Sequence, residues 1–247
     1  MPYTEYDFQK YGFLKCTDIL DHLALDKAEE KLIDEKIFFE KNVTKAKTYG
    51  NNLSEEQELV TSGNVRTSTK GSRVFWEILA SSKKLRNVLS TILHSDNLYM
   101  HMYPTPRIIY NSESGALVPP HFDELYNSHL KNFVTVWVPI DAFNEDQGGL
   151  TVWPLSHHNT VKPESVNKEG NWLEPLKTEQ FEKVELKCKK GDCIIMSSKL
   201  IHASRQNNTD TPRLSLDMRF FGSKNHTNKY YLDCQSWEVF PPDEVVK

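Results

Sequence analysis

A histidine and an aspartate stand two residues apart in His121-Phe122-Asp123, and another histidine, His202, follows much later in the chain. Side chains two apart on a β-strand project from one face, so the imidazole and the carboxylate can reach one ion while Phe122 packs on the other side. Two imidazoles and one carboxylate occupy one face of an octahedral ion and leave the other positions open. This ligand set is typical of non-haem iron(II) oxygenases.

The His-x-Asp pattern alone is a weak signal, because the chain contains nine histidines and such matches also arise by chance. His121 could instead make a local cap or ion pair. His202 could be a buried histidine with a structural hydrogen bond, which is the commoner role. A metal at this site could also be structural, as in a non-catalytic zinc protein.

An alternating segment beginning at Arg213 strengthens the metal hypothesis. The segment Arg213-Leu214-Ser215-Leu216-Asp217-Met218-Arg219 alternates polar and apolar residues, so its four polar side chains share one face of a strand. That face could be exposed to solvent, or it could line the interior of a barrel that holds a polar ligand. An arginine followed two residues later by a serine can bind a carboxylate through a bidentate fork and a hydroxyl.

The surrounding elements predict how these residues are positioned. Helical periodicity over residues 26–42 and 72–93 precedes a series of short apolar segments separated by turns, which favours a jelly roll buttressed by helices. Polar segments at Gly50–Gly71 and Val161–Glu182 are interpreted as loops near a site. The predicted strands are Leu98–Tyr103, Arg107–Tyr110, Leu117–Asp123, Phe133–Ile140, Leu150–Trp153, Val184–Cys188, Cys193–Ser197, Leu200–Gln206 and Arg213–Phe221.

We predict a single domain over residues 1–247, with no linker that divides it. Its parts are a helical support over about 1–96, a jelly-roll core over about 97–222 and a C-terminal extension over 223–247. The fold class is therefore mainly β with flanking α-helices, built on a double-stranded β-helix of the jelly-roll or cupin-like type.

Bulk properties narrow the function classes. The net charge of −4 gives no sign of a nucleic-acid partner. No apolar segment is long enough to cross a membrane, and the N-terminus does not resemble a signal peptide. The four cysteines form no Cys-x-x-Cys pair, so a reducing, cytoplasmic location is expected. The sequence gives no indication of oligomeric state.

Several motifs together resemble the phytanoyl-CoA dioxygenase (PhyH) family. The segment Asp7–Leu14 is similar to the family's usual opening, in which a short helix leads to a strand. The other matching segments, in order, are His121-Phe122-Asp123, Val136-Trp137-Val138-Pro139-Ile140-Asp141, Gln147–His157, Lys190-Gly191-Asp192, Leu200-Ile201-His202-Ala203-Ser204 and Arg213-Leu214-Ser215.

The resemblance implies an iron(II)- and 2-oxoglutarate-dependent dioxygenase that uses O2. It implies iron at His121, Asp123 and His202. The residues implied for 2-oxoglutarate are Arg213 at its distal carboxylate, with Ser215, Ser204, Trp137 and Tyr103 as further candidates.

This chain departs from the family pattern at two positions. The family usually has Pro-Gly-Ser-His where this chain has Pro154-Leu155-Ser156-His157, and it usually has a polar residue at the position of Phe122. Neither departure removes a ligand. Family halogenases replace the carboxylate with a small residue, so the presence of Asp123 favours hydroxylation, desaturation or ring closure.

The expected substrate is a small, polar metabolite. The candidate substrate residues are Asp217, Arg219, Arg107 and His129, although Asp217 and Arg219 could equally form a structural ion pair on the barrel wall. The alternatives are a fatty acyl-CoA hydroxylase of the same family, a non-catalytic metal-binding jelly-roll protein, and a nucleic-acid or protein demethylase. The remaining histidines, including His101 and His157, are interpreted as surface or supporting residues.

Overall fold

A computed structural model describes residues 5–34, 73–102, 104–109, 117–141, 145–159, 177–222 and 229–242. Tyr103, the predicted loop Gly50–Gly71 and most of the segment Val161–Glu182 therefore lie outside the described residues. Among the helices that are described, none combines the length and the apolar character that crossing a bilayer requires.

Within the described residues, four α-helices support the sheets. They are α1 (Glu5–Tyr11), α2 (described over 22–34), α3 (Arg73–Ala80) and α4 (Lys83–Leu93). The single helix predicted over 72–93 is wrong, because Ser82 has an extended backbone and its hydroxyl accepts a hydrogen bond from the Leu85 amide. Serine is a favoured N-cap, so it starts a new helix where the periodicity alone continues. The remainder of the helix predicted over 26–42 lies beyond the described residues.

The strands pair in two antiparallel sheets. The larger has the order β1-β7-β4-β9-β2-β10-β11, with β3 also paired to β9, and the smaller has the order β6-β5-β8. Their bounds are β1 (Phe13–Cys16), β2 (Tyr99–His101), β3 (Thr105–Ile109), β4 (Phe133–Pro139), β5 (Gly149–Val152), β6 (Val184–Leu186), β7 (Cys193–Ser197), β8 (His202–Arg205), β9 (Arg213–Phe221), β10 (Tyr231–Asp233) and β11 (Val239–Phe240).

The prediction of a strand over Leu117–Asp123 is wrong. Only His121 pairs, as an isolated bridge to His202, and Asp123 begins a 3-10 turn that ends at Leu125. The turn is closed by the amides of Leu125 and Tyr126, which donate to the carbonyls of Phe122 and Asp123. These local hydrogen bonds form in place of the expected strand pairing. His121 and Asp123 are therefore brought together by a bend in the chain and not by strand alternation.

The two faces of β9 separate the hydrophobic core from the interior of the barrel. Its apolar side chains pack with the helices in one large core, together with residues such as Phe75, Leu79 and Leu89. Its polar face is not exposed to solvent, because Arg213 is 1% exposed and Ser215 is 0% exposed. The polar face therefore lies between the two sheets. Of the two possibilities that the sequence left open, it lines the interior of the barrel and does not face solvent.

Registered strands bring further side chains to this interior face. Directly opposite residues of an antiparallel pair project to the same side. Thr135 and Trp137 of β4 lie opposite Arg219 and Asp217, and Arg107 of β3 lies opposite Ser215. An apolar cluster formed by residues of both sheets contains Trp137, Leu150, Val152, Leu186, Ile194, Met196 and Leu200.

Candidate metal centre

His121 and His202 are joined through their main chains. The amide of His121 donates to the carbonyl of His202 over 3.0 Å, and the amide of His202 donates to the carbonyl of His121 over 2.9 Å. The two imidazole rings lie with centroids 4.3 Å apart. The pairing of two distant segments thus fixes the separation of two nitrogen donors.

Each of these imidazoles is oriented by a backbone carbonyl. Nδ1 of His121 donates to the Pro119 carbonyl over 2.8 Å, and Nδ1 of His202 donates to the Leu200 carbonyl over 3.0 Å. Since Nδ1 carries the proton in both rings, Nε2 keeps its lone pair for a ligand. Burial, and next the proximity of His202, lower the pKa of His121 to about 3, so this ring is neutral at physiological pH.

Asp123 accepts hydrogen bonds from two side chains of the larger sheet. Nη2 of Arg219 donates to its Oδ1 over 2.8 Å, and the hydroxyl of Thr135 donates to its Oδ2. Burial by itself would raise the pKa of Asp123, but the Arg219 guanidinium and the Thr135 hydroxyl hold it well below the ordinary value. The carboxylate is therefore ionised and oriented.

The three side chains together form a group that could hold a metal ion. One ligand atom from each of His121, Asp123 and His202 lies within 4.8 Å of the others, and all three residues are buried. Two neutral nitrogens and one carboxylate oxygen suit a divalent first-row metal, and three ligands leave coordination positions open. The structure thus brings together the three residues that the sequence indicated.

Besides Thr135, two residues that the sequence analysis did not assign position this centre. The buried hydroxyl of Ser156 accepts from the Ile201 amide over 2.9 Å, immediately before His202. The amide of Asn127 donates to the Asp123 carbonyl over 3.1 Å. For Ser156 a signal existed, because it belongs to the motif around His157; Asn127 carries no local pattern that could have identified it.

A buried arginine and serine lie further along the interior face. Nη1 of Arg213 donates to the Gly149 carbonyl over 3.0 Å. Within the described residues, however, Nε of Arg213 and the hydroxyl of Ser215 have no hydrogen-bond partner. Burial lowers the pKa of Arg213 to about 10, so the guanidinium remains cationic. Buried polar atoms normally have partners, and a ligand carboxylate would supply them here.

The neighbours of Arg213 create the space for it. At Gly148, which has a φ of +92°, an added Cβ would lie 2.7 Å from two carbonyl oxygens and 3.0 Å from Nη1 of Arg213. Asp141 accepts from the Leu214 amide over 3.1 Å and so fixes the start of β9. The Gly148-Gly149 pair and Asp141 both belong to motifs of the resemblance, and their role here is structural.

The other candidate residues fall into distinct places. Trp137 is buried on the interior face, and Ser204 is half-buried in β8. Asp217 pairs with Nε of Arg107 over 3.0 Å and Arg219 pairs with Asp123, so the ion pair considered between Asp217 and Arg219 does not form. His129 is half-buried in the segment that follows Asp123, and Tyr103 lies outside the described residues.

The two departures from the family motifs have visible structural consequences. Leu155, where the pattern has glycine, adopts the left-handed conformation with a φ of 67° and is 47% exposed. Glycine adopts this conformation without steric cost, whereas leucine does not. Phe122 packs against Trp153, Ile201 and Ala203 on the outer side of the smaller sheet. This agrees with the prediction that it points away from the side of His121 and Asp123.

Comparison of the sequence with family models identifies one match. The model of "Phytanoyl-CoA dioxygenase (PhyH)" covers residues 8–215. This chain belongs to the PhyH family. Among curated proteins, no sequence is significantly similar to it. Enzymes of the PhyH family depend on non-haem iron, 2-oxoglutarate and O2, and the donor set and the buried Arg213–Ser215 pair fit iron and 2-oxoglutarate respectively.

Solved structures share the fold of this PhyH-family chain at low sequence identity. A ThoJ–nickel complex, described as a non-haem monooxygenase, has a TM-score of 0.64 and 15% identity, over 97% of this chain and 87% of ThoJ. The epimerase SnoN from nogalamycin biosynthesis, in complex with Fe3+ and 2-oxoglutarate, has a TM-score of 0.63 and 17% identity, over 90% and 83%.

The carbocyclase SnoK from the same pathway has a TM-score of 0.63 and 9% identity, over 92% of this chain and 85% of SnoK. At such identities the likeness concerns the fold alone. It confirms the predicted jelly-roll core of this PhyH-family chain.

Proposed function

We propose that this protein is an iron(II)- and 2-oxoglutarate-dependent hydroxylase that oxidises an aliphatic C–H bond of a small, polar metabolite. We further propose that His121, Asp123 and His202 hold the iron and that Arg213 and Ser215 bind the distal carboxylate of 2-oxoglutarate. The observation that carries this proposal is the joint presence, on one barrel interior, of a three-donor centre and a buried guanidinium whose Nε has no hydrogen-bond partner among the described residues.

The charges of the interior support this assignment. Two neutral imidazoles and the Asp123 carboxylate would leave an iron(II) site with a net charge near +1, which favours the dianionic 2-oxoglutarate. When bound, iron and 2-oxoglutarate supply the oxidising chemistry that activates O2. The Arg213 guanidinium would neutralise the far carboxylate and fix the direction of the molecule. The apolar cluster that includes Trp137 and Leu200 would exclude water from that molecule.

The protein's own residues also limit where the substrate can bind. Arg107 and Asp217 neutralise each other on the interior wall, and Arg219 is engaged by Asp123. These two pairs lie between the end of β9 that contains Arg213 and the end that contains Phe221. We therefore infer that the primary substrate approaches from the Phe221 end, with His129 as a candidate contact.

A reducing compartment suits the cysteines of the proposed enzyme. All four cysteines are free, and three of them are buried. Cys16 and Cys193 are directly opposite each other on β1 and β7 without a disulfide. We expect the protein to act in the cytoplasm on a small molecule.

Anaerobic titration with iron(II) and 2-oxoglutarate tests the cofactor assignment. We expect a weak visible charge-transfer band in the wild-type protein that is lost in Arg213→Ala. The exposed Arg73→Ala variant, which removes an arginine that pairs with Glu77 and lies over the Trp237 ring, serves as the matched control. Absence of the band in the wild type would instead support a non-catalytic metal-binding protein.

Succinate release and product analysis test the reaction. Candidate metabolite pools, fatty acyl-CoA, peptides and oligonucleotides are supplied separately with iron, 2-oxoglutarate and O2. We expect a polar metabolite to stimulate succinate release and to gain one oxygen atom, measured by mass spectrometry. An isomerised product would show that the reaction is epimerisation, and a product that has lost two hydrogens would show ring closure or desaturation. Stimulation by a peptide or an oligonucleotide alone would favour a demethylase.

A further inference from the structure

A second histidine pair lies inside the barrel, apart from the metal centre. His101 of β2 is 3% exposed, and its ring stacks on that of His129 with centroids 5.5 Å apart and an interplanar angle of 12°. Nε2 of each ring is buried and has no hydrogen-bond partner within the described part of the chain. Two adjacent imidazoles thus present unsatisfied polar atoms in an enclosed place.

The pair faces the same interior as the metal centre. Strand alternation places His101 on the side of Tyr99, and its ring contacts that of Phe221 at 5.9 Å between centroids. Phe221 and Arg219 share the interior face of β9, and Arg219 binds Asp123. The pair therefore lies beyond Arg219, in the direction opposite to Arg213 and Ser215.

A short chain of contacts ties His129 to the metal centre. Asn127 donates through its amide to the Asp123 carbonyl over 3.1 Å, and its own carbonyl accepts from the Leu130 amide over 2.9 Å. These bonds close the turn that contains His129. The backbone that carries this ring is consequently held close to the main chain of Asp123.

Lys229 adds a positive charge beside the pair. Its Nζ donates to Oδ1 of Asn127 over 3.4 Å. Burial, and next the charge of Lys229, lower the pKa of His101 to about 2, and the same two causes lower the pKa of His129. Both rings are therefore neutral, and the positive charges that act on the His101 ring are those of Lys229 and Arg219, of which Arg219 pairs with Asp123.

We propose that His101, His129 and Lys229 form a subsite that binds an oxyanion of the primary substrate, a carboxylate or a phosphate. An oxyanion accepts N–H bonds from the imidazoles and is also attracted by the ammonium group, whereas a neutral hydroxyl or amide gains only the hydrogen bonds. This inference rests on the proposed function, because it places the anchored group next to the centre that would oxidise the substrate.

Nuclear magnetic resonance of histidine side chains tests the subsite directly. The full chain is labelled with 15N-histidine, loaded with zinc(II) and saturated with N-oxalylglycine, so that the Arg213 subsite is occupied. Acetate, inorganic phosphate and acetamide are then titrated separately at constant ionic strength and pH 7.5. We expect two of the nine histidines to shift saturably with acetate, with phosphate or with both, and neither to shift with acetamide.

Variants assign the response to this subsite. Lys229→Met should weaken the binding of the responding anion at least tenfold, and Lys229→Arg should largely restore it. His101→Phe and His129→Phe should each remove one of the two responding signals. His22→Gln, which changes an exposed histidine on α2, is the control and should remove neither.

Three results would overturn the inference: no saturable shift with either anion, an equal response to acetamide, or an unchanged affinity in Lys229→Met. The iron(II)–2-oxoglutarate band is measured on the same wild-type preparation. A normal band with silent histidines rejects the subsite alone, whereas responsive histidines without the band reject the proposed cofactor chemistry alone.

Discussion

The guanidinium of Arg219 and the carboxylate of Asp123 lie 2.8 Å apart, between Nη2 and Oδ1. Both are largely removed from solvent, with side-chain exposures of 15% and 2%. Charge-assisted bonds of this kind orient a carboxylate before any ion arrives. Arg219 therefore supports a candidate metal ligand. The sequence had suggested instead that it contacts the substrate or forms a structural ion pair with Asp217.

Replacing Arg219 should weaken metal binding. In Arg219→Met the Asp123 carboxylate keeps the Thr135 hydroxyl but loses its charged partner, and supporting contacts of this type contribute about 10–100-fold to metal affinity. We expect the dissociation constant for manganese(II), measured by electron paramagnetic resonance, to rise within that range. Arg219→Lys keeps the charge and should lose less; unchanged affinity in both variants would show that the ion pair does not orient the ligand.

Adding a methyl group at Gly148 should impair 2-oxoglutarate binding and leave metal binding intact. The new Cβ would lie 3.0 Å from Nη1 of Arg213 and 2.7 Å from two backbone oxygens, so the guanidinium must move. We expect Gly148→Ala to raise the dissociation constant for 2-oxoglutarate at least tenfold, measured from the charge-transfer band.

Gly191→Ala is the matched control for this variant. Gly191 also has a positive φ, of +95°, but its Cβ would meet the exposed side chain of His22. It should lower stability without changing the affinity for 2-oxoglutarate. Equal losses of affinity in the two variants would mean that general destabilisation, and not the displacement of Arg213, is responsible.

Stability should depend on pH through Asp141. Burial raises the pKa of this carboxyl to about 6, from 3.8, so the folded state binds more protons than the unfolded state between these values. The stabilisation is fully present below about pH 4 and is lost as the pH rises through 6. On the order of 2–3 kcal/mol is involved.

Urea unfolding of the wild type and Asp141→Asn between pH 4 and pH 8 measures this effect. The asparagine should be the more stable form at pH 8, with a difference that shrinks toward pH 4, since its amide oxygen can still accept from the Leu214 amide. Asp210→Asn removes an exposed carboxylate and controls for net charge. A pH-independent difference between the wild type and Asp141→Asn would contradict the raised pKa.

Glycine at position 155 should stabilise the protein. Leu155 has a φ of 67° and is 47% exposed, so the variant relieves backbone strain and removes little packing. A left-handed leucine costs roughly 1–2 kcal/mol, and the greater freedom of glycine in the unfolded chain offsets about half of this. Leu155→Gly should therefore gain roughly 0.5–1 kcal/mol in urea unfolding, whereas Leu155→Ala should gain nothing; a loss in Leu155→Gly would point to an unrecognised contact of the leucine.

Local sequence pattern made parts of the fold predictable. The predicted bounds of Cys193–Ser197 and Arg213–Phe221 agree with β7 and β9, because the first is a continuous apolar run and the second alternates polar and apolar residues. The short strands β10 and β11 escaped notice, since their pairing depends on the contact of Tyr231 with His101 and not on local pattern. Where local hydrogen bonds competed with the ladder, at Asp123, the predicted strand was wrong.

The residues of the candidate site likewise fall into two groups, those that a local motif identifies and those that only contacts between strands identify. Ligand types and the position of Arg213 could be taken from motifs that lie within one segment of chain. The roles of Thr135, Asn127, His101 and Arg219 depend on distances between strands that no short pattern encodes. Thr135 had a partial signal, because it alternates with Trp137 on a strand that already contained a candidate residue. Alternation also placed Arg219 on the right face, although with a different role.

The main-chain bridge between His121 and His202 has a consequence for how the protein acquires its activity. These residues are far apart in sequence, and closing so large a loop early in folding is entropically unfavourable. The group formed by His121, Asp123 and His202 therefore exists only after the two segments of the barrel have paired in the correct register. A nascent chain released before residue 202 cannot assemble it, and a metal that binds only the completed triad stabilises the native state at the expense of every partly folded one.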